Sequence, residues 1–142
     1  KKTNANNFNL KENVVINKKN YGNSKILVDN YKLDNTYIYK NNGKSVIVKD
    51  NEINNILLIL DYNMEIDDKY SLKAYSNNKK EFFTNFSSVE YTYKDKVKTY
   101  NTKAIGVVDG KVMLGVPSQI KNATSIKLIL NFRNTKIIIK LK

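Results

Sequence analysis

Apolar residues in this chain recur at every second position or in short blocks, and they never hold the spacing of an amphipathic helix over three turns. Clusters of Asn, Asp, Gly, Ser and Lys separate these runs, and such residues favour turns. The pattern predicts strands at 13–16, 25–29, 36–40, 45–49, 55–62, 70–75, 89–94, 102–108, 111–116, 125–133 and 136–141. Short strands at this spacing are typical of an all-β fold, an antiparallel sandwich or barrel of Greek-key type.

Three hairpins can be assigned a register. Asn42-Gly43 and Asp109-Gly110 suit two-residue turns of type I′, in which both central residues take positive φ. Asn134-Thr135 is a poorer turn, and that register is inferred from burial, because a slip of one residue would turn the apolar face to water. The expected pairs are Tyr37–Val48, Ile38–Ile47, Tyr39–Val46 and Lys40–Ser45, then Val107–Val112, Gly106–Met113 and Ile105–Leu114, then Phe132–Ile137, Leu130–Ile139 and Leu128–Leu141.

Two further segments predict how the core is closed. The apolar run at 53–60 is short and rich in Ile, which favours a central strand buried on both faces over a buried helix. Pro117 fits the first position of a helix, and Ile120 with Ala123 would cover one end of a core. We therefore expect at most one short helical turn, near 117–123.

Two stretches of the chain resemble a known family. Tyr70-Ser71-Leu72-Lys73-Ala74-Tyr75 with 77–82, and Val116-Pro117 through Asn122-Ala123 to 125–128, are similar to immunoglobulin-like β-sandwich domains of uncharacterised secreted proteins and lipoproteins of low-GC Gram-positive bacteria. The resemblance spans 56–141 and implies an immunoglobulin-like sandwich that serves as a binding or spacer module, with no catalytic residues. The Cys and Trp core of true immunoglobulin domains is absent.

The start of the chain differs from the rest. Residues 1–7, KKTNANN, are polar and have nothing to bury, so a disordered tether is expected there, followed by a single β-sandwich domain at 8–142. The sequence begins at Lys1 without Met, and we expect that an upstream segment has been removed. Together with the resemblance, this predicts an extracellular protein, anchored to a membrane through an N-terminal lipid upstream of residue 1.

Composition excludes most familiar catalytic sites. Without His and Cys the chain has no imidazole base, thiol nucleophile, disulfide or thiolate metal site. No stretch matches the motif of a nucleophile elbow or a phosphate-binding loop. The sequence therefore predicts a protein that is not an enzyme and needs no cofactor.

The formal net charge of +12 comes almost wholly from Lys, because Arg133 is the sole Arg. Specific recognition of bases and phosphates relies on Arg, whose guanidinium makes paired hydrogen bonds. A/T-rich codons also favour Lys and Asn, so part of the charge reflects the genome. Nucleic acid is therefore not the expected partner. The partner stays unknown, with an anionic membrane surface or a cell-wall polymer as the hypothesis.

Two tyrosine pairs are the candidate binding residues. Tyr37 with Tyr39, and Tyr91 with Tyr93, are spaced to share one face of a strand, and lysines lie close to both pairs. They fit stacking platforms for a sugar or single-stranded nucleic acid. The competing interpretation makes them the half-buried faces of amphipathic strands. The chain is thus predicted to be a non-enzymatic surface binding or spacer module of a lipoprotein; the alternative is an OB-like single-stranded nucleic-acid-binding domain using Lys and Tyr.

An acidic segment offers a possible cation site. Asp61, Glu65, Asp67 and Asp68 lie within eight residues, and Ca²⁺ prefers several oxygen ligands from one loop. The spacing does not match an EF-hand, and adjacent carboxylates in an extended chain point apart. A solvated acidic turn is the preferred interpretation, so no metal is predicted.

Overall fold

The computed structural model describes residues 14–17, 25–65, 78–108, 110–132 and 135–142. They form eleven strands, one α-helix and one 3₁₀ helix, so the all-β prediction is confirmed. The elements are β1 (Val14–Asn17), β2 (Lys25–Asp34), β3 (Tyr37–Asn41), β4 (Lys44–Val48), β5 (Asn55–Glu65), α1 (Lys79–Phe86), β6 (Ser87–Tyr93), β7 (Lys96–Asn101), β8 (Lys103–Val108), β9 (Lys111–Pro117), the 3₁₀ helix (Ser118–Asn122), β10 (Ser125–Phe132) and β11 (Thr135–Lys140).

The strands form two large antiparallel sheets and a separate hairpin. The first sheet has the order β1-β11-β10-β6-β7, and the second has the order β2-β5-β9-β8. Strands β3 and β4 pair only with each other among the described residues. The chain moves between the two sheets after β1, β5, β7 and β9, so that each sheet combines strands from distant parts of the sequence.

The core lies between the two sheets. Buried side chains from β5 and β9 of the second sheet and from β6, β10 and β11 of the first sheet belong to one cluster. Along β10, Ile126, Leu128 and Leu130 are fully buried, whereas Lys127 and Ile129 alternate with them and are half-buried. Burial of one such aliphatic side chain stabilises the fold by roughly 1.5–3 kcal/mol. The two sheets are therefore packed face to face as a β-sandwich.

The hairpin of β3 and β4 covers the outer face of the second sheet. There Leu57, Ile59 and Met113 form a second buried cluster, against which Tyr37 packs. Strand β5 is thus covered on both sides, which confirms its predicted double-sided burial. The strand predicted at 55–62 begins where β5 begins, at Asn55, whereas Ile53 of the apolar run lies in a turn and is 86% exposed.

Two of the predicted hairpins have registers close to those expected. All pairs predicted for β3 and β4 are confirmed, and the turn places Asn42 and Gly43 at φ of 53° and 80°. In the hairpin of β8 and β9, the two pairs nearest the turn are confirmed. The next pair is wrong, because a bulge leaves Ile105 unpaired and brings Ala104 opposite Leu114.

The last hairpin keeps its predicted faces but not its predicted register. Phe132 pairs with Thr135, and Leu130 pairs with Ile137 instead of Ile139. The partner of each residue is shifted by two positions. Because side chains alternate with a period of two, this shift leaves the same residues facing the core.

The sequence analysis does not predict helix α1. It allows only one helical turn, near 117–123, and this part of the prediction is wrong. Asn78 begins the helix: its side chain accepts a hydrogen bond from the Glu81 N–H (3.2 Å) and donates one to the Glu81 carboxylate (3.0 Å). Phe82 and Phe83 are buried in the main core. Eight residues give about two turns, too few for a helical period to stand out in the sequence.

Strand β7 is also absent from the sequence prediction. It forms one edge of the first sheet, and it is joined to β6 by a turn at Lys94 and Asp95, with φ of 50° and 63°. The usual Gly of such a turn is missing, so the strongest hairpin signal is missing too. Alternating lysines on this strand suit an exposed edge.

The predicted helical turn is confirmed as the 3₁₀ helix, which follows Pro117. Ile120 and Ala123 are buried and cover one end of the core. No helix in the described part of the chain is long and apolar enough to span a membrane. The tether at 1–7, the strand at 70–75 and the turn residues Asp109 and Asn134 lie outside the described residues.

Candidate functional site

The predicted candidates Tyr37 and Tyr39 lie on β3 and share a face with their cross-strand partners, Val48 and Val46. Both tyrosines are half-buried. Their ring centroids are 6.3 Å apart with an angle of 29° between the planes. Two aromatic rings are thus held side by side where the hairpin meets the second sheet.

A cleft of ≈ 180 Å³ lies beside Tyr37 on the outer face of the second sheet. It is lined by Asn30, Tyr31, Lys32, Tyr37, Ile59, Asp61 and Lys111. The register pairs Asn30 with Asp61 and Asp61 with Lys111, so these three polar residues form a row across β2, β5 and β9. Since the row is carried by three hydrogen-bonded strands, its spacing is set by the sheet.

Asp61 and Lys111 form an ion pair within the cleft, in which the Lys111 Nζ donates to Asp61 Oδ1. This hydrogen bond raises the pKa of Lys111, and the charge of Asp61 acts in the same direction, against the effect of partial burial. About a third of each side chain is exposed, so solvent screens the pair. The pair therefore fixes two opposite charges at the cleft without burying them.

The acidic segment does not form a cation site in the described residues. Asp61 is paired with Lys111, and no group of three potential metal ligands occurs in the part of the chain that the structure describes. Asp67 and Asp68 lie outside that part. The described residues therefore give the Ca²⁺ hypothesis no group of three ligands.

Tyr91 and Tyr93 lie on β6, in the first sheet, and differ in exposure. Tyr91 is only 3% exposed, and its hydroxyl donates to the Gln119 Oε1 at 3.0 Å. For Tyr91 the half-buried strand face is thus the better interpretation. Tyr93 remains partly exposed, and the ammonium groups of Lys94 and Lys98 lie 5.3 and 5.6 Å from its ring centroid. Distances below about 6 Å are typical of cation–π contacts.

We call Lys94, Lys96 and Lys98 the lysine edge. The register places Lys96 opposite Tyr93 and Lys98 opposite Tyr91, so both lysines share a face with the tyrosines. None of the three lysines forms an ion pair with a described carboxylate, whereas Lys98 donates to Gln119 Oε1 at 3.0 Å. The lysine edge therefore places two cations against one partly exposed aromatic ring and a third, Lys96, on the neighbouring strand opposite it.

The four predicted tyrosines do not form one site. Tyr37 and Tyr39 belong to the hairpin outside the second sheet, whereas Tyr91 and Tyr93 belong to the first sheet. The structure brings Tyr37 together with residues that the sequence analysis does not connect to it, above all Asn30 and Lys111. The protein thus has two candidate sites of different chemistry, a cleft with mixed charge and a basic edge.

A polar cluster beside β9 is a feature that sequence analysis misses. The Asn55 Nδ2 donates to Asp50 Oδ2 (2.8 Å) and to the Tyr100 hydroxyl (3.0 Å), and the Glu52 N–H donates to Asp50 Oδ1 (3.0 Å). The Asp50 carboxylate occupies the space that a side chain at Gly115 would need. A Gly in the middle of a predicted strand is the signal of such a close approach.

Stability should fall at alkaline pH. Burial raises the pKa of Tyr31, Tyr62 and Tyr91 above the ordinary value of 10.0, and Asp61 raises that of Lys111 above 10.5. At high pH the folded state therefore retains protons that the unfolded state has lost. The free energy of unfolding is unaffected at pH values well below these ordinary pKa values, and it decreases as the pH rises through them. Urea unfolding between about pH 8 and about pH 11 should show a falling midpoint. A midpoint that stays constant or rises over this interval would contradict the burial of these groups.

No protein-family model matches the chain, and no curated protein matches it. One similar solved structure is an uncharacterised β-sandwich protein from Clostridium difficile, with 12% sequence identity and a TM-score of 0.47. The match covers 92% of this chain and 90% of that chain.

Proposed function

We propose that this β-sandwich is a non-enzymatic, extracytoplasmic binding module, tethered through a lipid upstream of residue 1, that holds phosphate-bearing anionic groups of the cell envelope. The single observation that supports this proposal best is the lysine edge, where the ammonium groups of Lys94 and Lys98 lie against the Tyr93 ring and Lys96 is the cross-strand partner of Tyr93. Anionic lipid headgroups and anionic wall polymers share the phosphate chemistry that such an edge attracts.

The attraction that each lysine contributes favours a weak, multivalent contact between the lysine edge and an anionic surface. A Lys close to an anionic membrane surface contributes about 1 kcal/mol, and this attraction falls off within a Debye length of about 8 Å at physiological salt. Three lysines therefore supply only part of the affinity that a stable complex needs. A lipid tether would raise the local concentration of the partner and make up the difference, as in other two-signal membrane contacts.

The architecture does not favour the alternative, an OB-like nucleic-acid binder. An OB-fold is a five-stranded barrel, whereas the described strands form two stacked sheets and a covering hairpin. Tyr91, one of the predicted stacking residues, is buried in the sandwich core.

The lysine edge should control binding to anionic vesicles. Replacing its three lysines with Glu should weaken binding to phosphatidylglycerol vesicles by about tenfold or more, because three attractive charges become repulsive. The matched control replaces Lys40, Lys44 and Lys49, which are exposed on or beside the hairpin of β3 and β4, and makes the same change in net charge. Co-sedimentation with phosphatidylglycerol and phosphatidylcholine vesicles, and with a glycerol-phosphate polymer, measures the effect.

Two results would contradict the proposal. One is an equal loss of binding in both triple variants, which would mean that net charge alone matters. The other is tighter binding to oligo(dT) than to either phosphate-bearing probe at about 0.15 M salt. Mass spectrometry of the native protein tests the tether separately, because a diacylglyceryl group at its N-terminus is expected.

A further inference from the structure

The cleft beside Tyr37 has the size of one small ring-shaped ligand. Its volume of ≈ 180 Å³ corresponds to about six water molecules at roughly 30 Å³ each. Pockets for drug-sized ligands are larger, at about 300–1,000 Å³. A single six-membered sugar ring is smaller than such ligands and suits a cleft of this size.

The lining combines apolar and polar groups in the way that a sugar requires. Tyr37 and Ile59 contribute apolar surface, and Ile59 is itself packed into the outer cluster of the second sheet. Asn30, Asp61 and Lys111 contribute an amide, a carboxylate and an ammonium group from one cross-strand row. A pyranose has C–H surface that packs on an aromatic ring and hydroxyls that both donate and accept hydrogen bonds.

The ion pair leaves hydrogen-bonding capacity for a ligand. The Lys111 ammonium has three donors, of which one is used by Asp61 Oδ1. The Asp61 carboxylate has about four lone-pair positions, and its Oδ2 accepts no hydrogen bond from a described residue. The Asp61 carboxylate and the Lys111 ammonium, an acceptor and a donor next to each other, suit two neighbouring hydroxyls. Because β5 and β9 are paired at these two residues, this arrangement is formed before a ligand binds.

We propose that this cleft binds one uncharged pyranose ring, with Tyr37 against its C–H face and Asp61 and Lys111 on two adjacent hydroxyls. This goes beyond the phosphate binding proposed for the lysine edge, because the ligand is neutral and the residues lie on the second sheet and on the hairpin that covers it. Affinity for a single ring should be weak, with a dissociation constant on the order of 1 mM. Ionic strength should have little effect on it, since no net charge is neutralised.

The test is an NMR titration of the isotopically labelled protein with glucose, galactose and N-acetylglucosamine. At least one sugar should cause saturable shifts of amide signals from β2, β5 and β9. Tyr37→Leu should weaken that binding about tenfold, whereas Tyr39→Leu, on the same face of the same strand but outside the cleft lining, should leave it unchanged. Asp61→Asn should also weaken it about tenfold, because a charged hydrogen-bond partner is lost.

The absence of saturable shifts with all three sugars would overturn the proposal, and so would equal affinities in Tyr37→Leu and Tyr39→Leu. If Tyr37→Leu loses the dispersed spectrum of a folded protein, Asp61→Asn decides, and unchanged affinity in that variant also overturns it. Sugar binding should persist in the lysine-edge variant and at high salt. Failure of the proposed function and failure of the cleft are therefore distinguishable.

Discussion

Replacing Phe83 with Ala should lower the free energy of unfolding by about 3–5 kcal/mol. Phe83 is 1% exposed and contacts two other rings edge-on, Tyr62 at 5.1 Å and Phe82 at 5.5 Å between centroids. Removal of the ring takes away its burial and leaves a cavity that rigid sheet neighbours cannot fill. Such a loss would be a large fraction of the 5–15 kcal/mol stability usual for a domain.

Urea unfolding followed by far-UV circular dichroism measures this change. Asn85→Ala is the matched control, because Asn85 lies on the same helix and is exposed; its effect should stay within about 0.5 kcal/mol. A loss below about 1 kcal/mol for Phe83→Ala would mean that helix α1 is not part of the core.

Replacing Gly115 with Ala should destabilise the fold by about 1–3 kcal/mol. A Cβ atom at this position would lie 2.1 Å from Asp50 Oδ2 and 2.9 Å from its Cγ. Asp50 is held by the Asn55 amide and the Glu52 N–H, so its displacement also breaks two hydrogen bonds. The strain and the lost bonds add to each other.

Asp50→Ala provides the test of this mechanism. In the double variant Asp50→Ala/Gly115→Ala the clash is gone, so the combined loss should be smaller than the sum of the single losses by at least about 0.5 kcal/mol. Gly106→Ala is the control, because its Cβ would come no closer than 3.3 Å to the side chains of Met113 and Val48. Additive losses in the double variant would show that Asp50 does not restrict position 115.

Local signals predict hairpins well where the turn chemistry is specific. Asn42 and Gly43 both tolerate positive φ, which left one register for β3 and β4, and all predicted pairs are present. In the last hairpin only the apolar alternation was informative. Alternation excludes a slip of one residue but allows a slip of two, so the faces are correct and the pairs are not.

Elements without such signals cannot be predicted locally. The bulge at Ile105 depends on how β8 fits its neighbour in the folded sheet, because Gly106 beside it permits a bulge without requiring one. Helix α1 is stabilised by the burial of Phe82 and Phe83 in a core built from distant strands. Tertiary packing of this kind overrides weak local preferences.

The two candidate sites also differ in how far the sequence alone predicts them. Tyr37 and Tyr93 could be selected from the sequence, because aromatic residues beside lysines form a visible local pattern. The cleft could not, since Asp61 and Lys111 are 50 positions apart and meet only through the pairing of β5 with β9. The same holds for Asn55, whose contact with Tyr100 spans 45 positions.

The charge of +12 also has a clearer meaning once the fold is known. Three described lysines form ion pairs, Lys32 with Asp34, Lys111 with Asp61 and Lys127 with Glu90. The lysine edge forms none with described carboxylates, and cation–π contacts hold two of its members at Tyr93. A basic composition thus becomes, at one strand edge, a specific group of cations that form no ion pair with a described carboxylate.

The salt dependence of binding to phosphatidylglycerol vesicles tests the central claim most directly. The affinity of the unmodified protein should fall steeply as salt rises toward about 0.15 M, and replacing the lysine edge with Glu should nearly abolish this dependence. The control triple variant on the hairpin should keep most of it. If the lysine-edge variant shows the same affinity and the same salt dependence as the unmodified protein, the lysine edge is not the anion-binding site.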